Sequence, residues 1–285
     1  MNHGAAKTGT GTAGTGLARD DRAAPRPGER FPAGTFAPAP GRGRALRMLA
    51  AHTRIEALLI IRHGEQALLT LIIPLALLIG LSTLHIGTVP EPRVDSVAPR
   101  ILALAVMSTA FTGQAIALGF DRRYGVLKRL SATALPRWTL ISGRVLATLL
   151  VVALQAVLLG ITAALLGWTP SPLGIVAALP LLVLGTLAFG AAGVLVGGAF
   201  RAEIVLAVAN AIWFVLLLAG GLALPMSDLP GPVGAIAGLL PSGALATSLE
   251  AALEHAALPG WQPLLVLVAW AAAAGALAVR TTRLT

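Results

Sequence analysis

The strongest constraint in this chain is a succession of apolar runs, each close to or beyond the length that crosses a bilayer. They extend from about Ala67 to Gly87, Ile101 to Phe120, Thr139 to Trp168, Leu173 to Phe200, Ile204 to Leu224 and Pro263 to Val279. A helix rises about 1.5 Å per residue, so roughly 20 residues cover about 30 Å of hydrocarbon. Hydrophobic residues make up 56% of the sequence, and the charged ones gather between the runs. That pattern excludes an ordinary soluble core and predicts an all-α polytopic membrane protein with six transmembrane helices.

The net charge of +9 raises the question of nucleic acid. A nucleic-acid domain would gather Lys and Arg on one folded face with aromatic residues between them, whereas here they sit in a tail and in loops. Topology accounts for them better. With the N-terminus inside, only Arg93 and Arg100 fall on the outer side, beside Glu91, Asp95, Asp228, Glu250 and Glu254. Both termini are therefore expected in the cytoplasm. The chain has no cysteine, which removes disulfides, thiolate metal sites and S-palmitoylation.

Ahead of the spans, residues 1–44 are rich in Gly, Ala, Pro and Thr without a periodic apolar face, and are expected to be a disordered cytoplasmic tail. Gly4 and Gly9 have the spacing of a phosphate loop, but Thr10 stands where lysine is required and no strand precedes it. Residues 45–285 form the expected six-helix membrane domain. It opens with an amphipathic helix from Ala45 to about Gln66, lying in the cytoplasmic interface, with Leu46, Leu49, Ile55, Leu58, Leu59 and Ile61 interspersed with Arg47, Arg54, Glu56 and Arg62. Between the fifth and sixth spans, apolar residues from Pro230 to Pro241 and around Leu245 to Leu253 predict two short external helices that re-enter or lie on the outer surface.

Polar side chains inside the spans mark faces turned toward protein or water. Gln114, Gln155 and Asn210 are candidates to line a substrate path, with hydrogen bonding between helices as the alternative, while Arg144 sits near the cytoplasmic end and can snorkel. Thr186, Gly190, Gly193 and Gly197 recur at helical spacing and predict a close approach between the fourth span and a neighbouring helix.

The hydrophilic island from Asp121 to Trp138 lies between two spans on the cytoplasmic side. Val126, Leu127 and Leu130 share one face of a short helix, and Arg123, Lys128 and Arg129 stay wet. This reads as a docking element for a soluble partner, against the simpler reading of a basic loop that only fixes topology. A membrane enzyme would need clustered acids or His-acid ligands, and five scattered histidines without H-E-x-x-H or D-x-x-x-D supply none. An ion-coupled transporter would carry ionisable residues in mid-span and related halves. Neither is present, so no catalytic, cofactor or metal residue is assigned; a non-transporting scaffold or sensor stays open.

A span that ends in acid-Arg-x-x-Gly-x-Leu-x-x-Leu, followed by a Thr/Pro turn and a small-plus-basic start to the next span, resembles the membrane subunit of type-2 ATP-binding-cassette (ABC) exporters. The residues here are Asp121, Arg122, Gly125, Leu127, Leu130, Thr133, Pro136, Gly143 and Arg144. The interfacial helix, the six spans and the external segment also match, so the resemblance covers the chain after residue 44. It departs at Asp121, where the family usually has Glu, at Arg123, where a second acid is common, and at Ala134, where proline is frequent.

The resemblance implies a permease that does no chemistry itself. ATP and Mg would be handled by a separate ABC ATPase subunit, and a second permease subunit, identical or different, would complete the pathway. It implies that Asp121, Arg122 and Gly125 shape the coupling turn, that Leu127 and Leu130 pack into the ATPase, and that Lys128 and Arg129 meet its acidic groups. Export of a drug-like or amphipathic molecule across a bacterial cytoplasmic membrane is the implied task, with lipid-linked polysaccharide as the alternative cargo. The partners expected are thus an ATPase, a permease and membrane lipid, with no nucleic acid.

Overall fold

Apolar segments in hydrocarbon must bond their own backbone groups, and a helix does this within one segment. The computed structural model accordingly contains helices and the turns that join them among the residues it describes, which are 44–62, 64–84, 92–132, 136–222 and 231–281. Residues 1–43 of the expected tail, Thr133 in the island and the Leu229-Pro230 pair lie outside these.

Helix α1 (Ala45–Arg62) precedes α2 (Gly64–Thr83), which carries the first apolar run. The next helix is continuous from Arg93 to Arg123 and has three parts: α3 (Arg93–Val106), a π-helical segment (Met107–Gly113) and α4 (Gln114–Arg123). It begins eight residues ahead of the predicted span. Arg93, Asp95, Pro99 and Arg100 interrupt the apolar run in sequence, yet Arg93 and Arg100 are buried, with Arg93 donating to Leu84 O and Arg100 paired to Glu250 at 3.5 Å. A buried charge with a partner does not end a helix.

A short helix α5 (Val126–Ser131) is followed by α6 (Arg137–Leu165), α7 (Pro172–Ala199), α8 (Ala202–Ala219), α9 (Gly231–Leu239), α10 (Pro241–Leu253) and α11 (Trp261–Thr281). Local chemistry sets several of the boundaries. Pro136, in an extended conformation, opens α6, and Gly167 at φ +97° closes the turn after it. Ser171 accepts from Gly174 N at 3.0 Å with Pro172 in the first turn, an N-terminus with both favoured residue types in place.

Among the described residues five helices are long and apolar enough to cross a membrane, or six if the bent pair α9–α10, kinked by 94°, counts as one span; the stretch Thr70–Thr83 of α2 is also apolar. The long helix Arg93–Arg123 is the axis of the bundle. In its apolar window 72% is buried, against 22–33% for the other four. Around it α7 packs on α4, the π segment, α10 and α11, while α1 lies along α6 and α2 packs on α3. Outward faces carry large exposed apolar side chains such as Leu150, Ile161, Val176 and Phe214, as lipid contact demands.

The small-residue face of α7 is used in part as its spacing predicts. A Cβ at Gly193 would stand 2.6 Å from Phe111 O and one at Gly197 2.5 Å from Ala115 O, so glycine lets α7 press backbone to backbone on the axis helix. Gly190 does not share this contact, since a Cβ there meets nothing within 4 Å; Gly185 makes room instead for the Leu245 side chain of α10. The two short helices predicted between the fifth and sixth spans are not both superficial. From Pro241 to Leu253, α10 is mostly buried between α3, α7 and α11.

Candidate coupling site

Three consecutive charges end the axis helix, and each grips a different neighbour. The Asp121 carboxylate accepts from Arg144 Nη2 near the start of α6. The Arg122 guanidinium donates to carbonyls at the end of α7, Gly197 O at 3.1 Å, Gly198 O and Phe200 O at 3.4 Å. Those carbonyls lack intrahelical donors and form the negative pole of α7, so a cation there meets both needs. Arg123 pairs with Glu203 in the first turn of α8 and lies 5.9 Å over the Tyr124 ring.

Arg144 extends the junction to α1. Its Nε lies 3.8 Å from Glu56 Oε2, and Glu56 Oε1 in turn lies 3.8 Å from His52 Nε2. Gly143 makes this approach possible, because a side chain there would run into the His52 ring. One arginine therefore joins α1 to the base of the island. Beyond that base the backbone turns through Gly125 at φ +66°, a left-handed conformation that suits glycine. Arg129 Nη2 folds back to donate to Tyr124 O at 2.8 Å. On α5, Val126 and Leu130 are half-buried and Lys128 and Arg129 exposed, while the Leu127 side chain lies outside the described residues.

The mid-span amides fall into two groups. Gln114 is buried and donates to Thr148 Oγ1 at 2.5 Å, and Thr148 donates to Arg144 O at 3.0 Å, so a polar chain runs from the axis helix to the backbone of the hub arginine. Gln155 is buried between three elements, accepting from Thr109 at 2.8 Å and donating to Thr70 O at 3.3 Å. Both therefore bond helix to helix. Asn210, by contrast, has an exposed side chain on α8. The π segment is the crossing point, with Thr109 reaching Gln155 and Ser108 accepting from Trp213 Nε1 of α8 at 2.9 Å. A wide helical turn of this kind often accompanies a functional site.

A model of the ABC-2 type transporter family matches residues 49–251. The chain belongs to that family. No curated protein matches its sequence. The ABC-2 match opens in α1 and closes in α10, and so contains the whole junction from His52 to Glu203. Among the described residues no group of three or more His, Asp or Glu gathers as metal ligands. In this ABC-2 domain, ion pairs and capped carbonyls join α1 and the end of the axis helix to α6, α7 and α8.

Sequence reasoning placed Asp121 and Arg122 in this turn but did not find their partners. Glu56 stood out only as one charge on an amphipathic helix, and Glu203 belongs to a short charged turn between two spans with nothing to name its partner. Arg122's acceptors are backbone carbonyls, which carry no residue signature at all.

Proposed function

We propose that this chain is the permease subunit of an ATP-driven ABC exporter, with six spans, both termini in the cytoplasm and a docking surface formed by α1 and α5 for a separate ATPase. The observation that carries the reading is the triplet Asp121-Arg122-Arg123, which ties one exposed turn to three spans at once. A loop that only fixed topology would need charge but no such grip. ATP and Mg belong to the partner; nucleotide binding there changes how α1 and α5 are held, and the junction passes the displacement to the bundle. The partner must interact differently with the two states of the permease, since equal affinity shifts nothing.

A second permease subunit, identical or different, covers the exposed face of α8. Asn210 supports this, because an amide left without partners in hydrocarbon costs on the order of several kcal/mol. Paired subunits would set Asn210 in the pathway, whereas Gln114 and Gln155 line the interior of one bundle. The cargo favoured is a drug-like or amphipathic molecule leaving a bacterial cytoplasmic membrane. The test is co-expression with candidate ATPase subunits, affinity purification and ATP hydrolysis in lipid. An ATPase is expected to co-purify and to be lost in Leu127→Asp/Leu130→Asp. If no ATPase associates with inserted, folded protein, the reading fails and a scaffold or sensor replaces it.

A further inference from the structure

A groove of about 1340 Å³ runs between α1, α6 and the first half of α7, floored by Leu102 and bounded at one end by Trp168 and Leu253. Among the described residues none of α2, α4 or α8 lines it, and so it is separate from the face that carries Asn210. Its depth comes from α6, where Ala153, Ala156, Gly160 and Ala164 recur at helical spacing and leave room that larger side chains would fill; a Cβ at Gly160 meets nothing within 4 Å. Among the described residues the lining is apolar apart from Thr53, Arg54 and the indole N–H of Trp168. Its volume exceeds the roughly 300–1,000 Å³ of pockets that hold drug-sized ligands, and its wall continues into exposed apolar residues such as Leu150 and Val157 that face lipid.

Charge decides what occupies it. The acid within α1 is Glu56, which is turned toward Arg144 and His52. Arg47, Arg54 and Arg62 leave the exposed charge of α1 positive, and Arg54 stands at the rim of the groove. A helix with basic residues and exposed Leu and Ile fits the boundary between anionic headgroups and acyl chains.

We propose that the end of the groove beside α1 is a binding site for one anionic phospholipid of the cytoplasmic leaflet, with its phosphate at Arg54 and its acyl chains running along α6 toward Leu182 and Val183 of α7. The site rests on the topology proposed above, in which α1 lies at the cytoplasmic surface. Bound there, the lipid would hold α1 against α6, next to the hub arginine, and so tune the coupling junction.

The test is native mass spectrometry of the full chain released from nanodiscs of equal phosphatidylglycerol and phosphatidylcholine with identical acyl chains. Wild type is expected to retain one phosphatidylglycerol per chain, favoured about fivefold over phosphatidylcholine, the factor that one Arg near an anionic headgroup supplies. Arg54→Gln, an exposed change that leaves folding intact, is expected to bring the two lipids to parity. Ala153→Phe, which fills the groove beside α1, is expected to lose the retained lipid whatever its headgroup. Equal retention of both lipids by wild type, or unchanged preference in Arg54→Gln, overturns the proposal. ATPase co-purification from the same preparations separates the two ideas: an ATPase bound without lipid preference refutes the lipid site alone, and lipid preference without an ATPase refutes the exporter reading alone.

Discussion

Replacing Arg144 by Met tests the hub directly. The substitution keeps much of the side chain's length and removes its charge, leaving Asp121 and Glu56 facing each other without the cation between them. The side chains of Arg144, Asp121 and Glu56 are 18%, 27% and 17% exposed, which places the cluster between two regimes. Exposed ion pairs contribute about 0–1 kcal/mol, and removing one partner of a fully buried pair costs about 3–5 kcal/mol. About 2 kcal/mol is the expectation for this intermediate exposure, which corresponds to a fall of about 4–8 °C in Tm for a domain of this size. The triple variant Arg144→Met/Asp121→Asn/Glu56→Gln removes all three charges and is expected to regain most of the loss, because a neutralised cluster leaves no orphaned ion. Thermal unfolding in lipid nanodiscs reads both values. A single variant that unfolds within 1 °C of wild type, or a triple variant no better than the single, would refute the argument.

Further expectations follow from backbone geometry. Gly125→Ala places a Cβ in a left-handed turn and should cost roughly 1–2 kcal/mol, while Gly125→Asn is tolerated better; thermal unfolding of the two variants side by side checks the order. Gly193→Leu drives a side chain into Phe111 O and should cost about 1–3 kcal/mol or more through overpacking, whereas Gly190→Leu, over open space, should leave folded yield unchanged. Gly143→Ala forces the His52 ring aside and is expected to weaken ATPase co-purification with insertion intact, which protease accessibility of α1 in membrane vesicles would report. Arg122→Gln removes the cap on α7 and should raise hydrogen exchange of the amides around Gly197 selectively, with exchange at the opposite end of the helix unaffected.

The fold was legible where hydrocarbon dictates it. Runs such as 139–168 and 173–200 gave helices within a few residues of their predicted ends, because backbone bonding and apolar length leave little choice. Legibility failed where long-range pairing alters the local rule. Arg100 looks like the end of a span until Glu250, far along the chain, is placed beside it. The π segment carries no composition signal that separates it from the α-helix on either side. At the candidate coupling site, the charges were visible as charges, but Arg122 bonds carbonyls and Arg144 bonds an acid on a distant helix, so the wiring is a property of packing. Gly193 and Gly197 were readable from their spacing, yet the same spacing included Gly190, which the rotation of α7 turns away.

Rotational phase is what the π segment contributes. Successive residues of an α-helix are about 100° apart around its axis, so adding or removing one residue between Leu104 and Gln114 would spin the half of the long helix that ends at Arg123 by that amount relative to the half that begins at Arg93. Asp121, Arg122 and Arg123 would then point at the wrong neighbours while every span stayed in place and every charge stayed in the sequence. The segment Met107–Gly113 thus acts as the indexing collar of a shaft, fixing the angle at which one end addresses three separate helices.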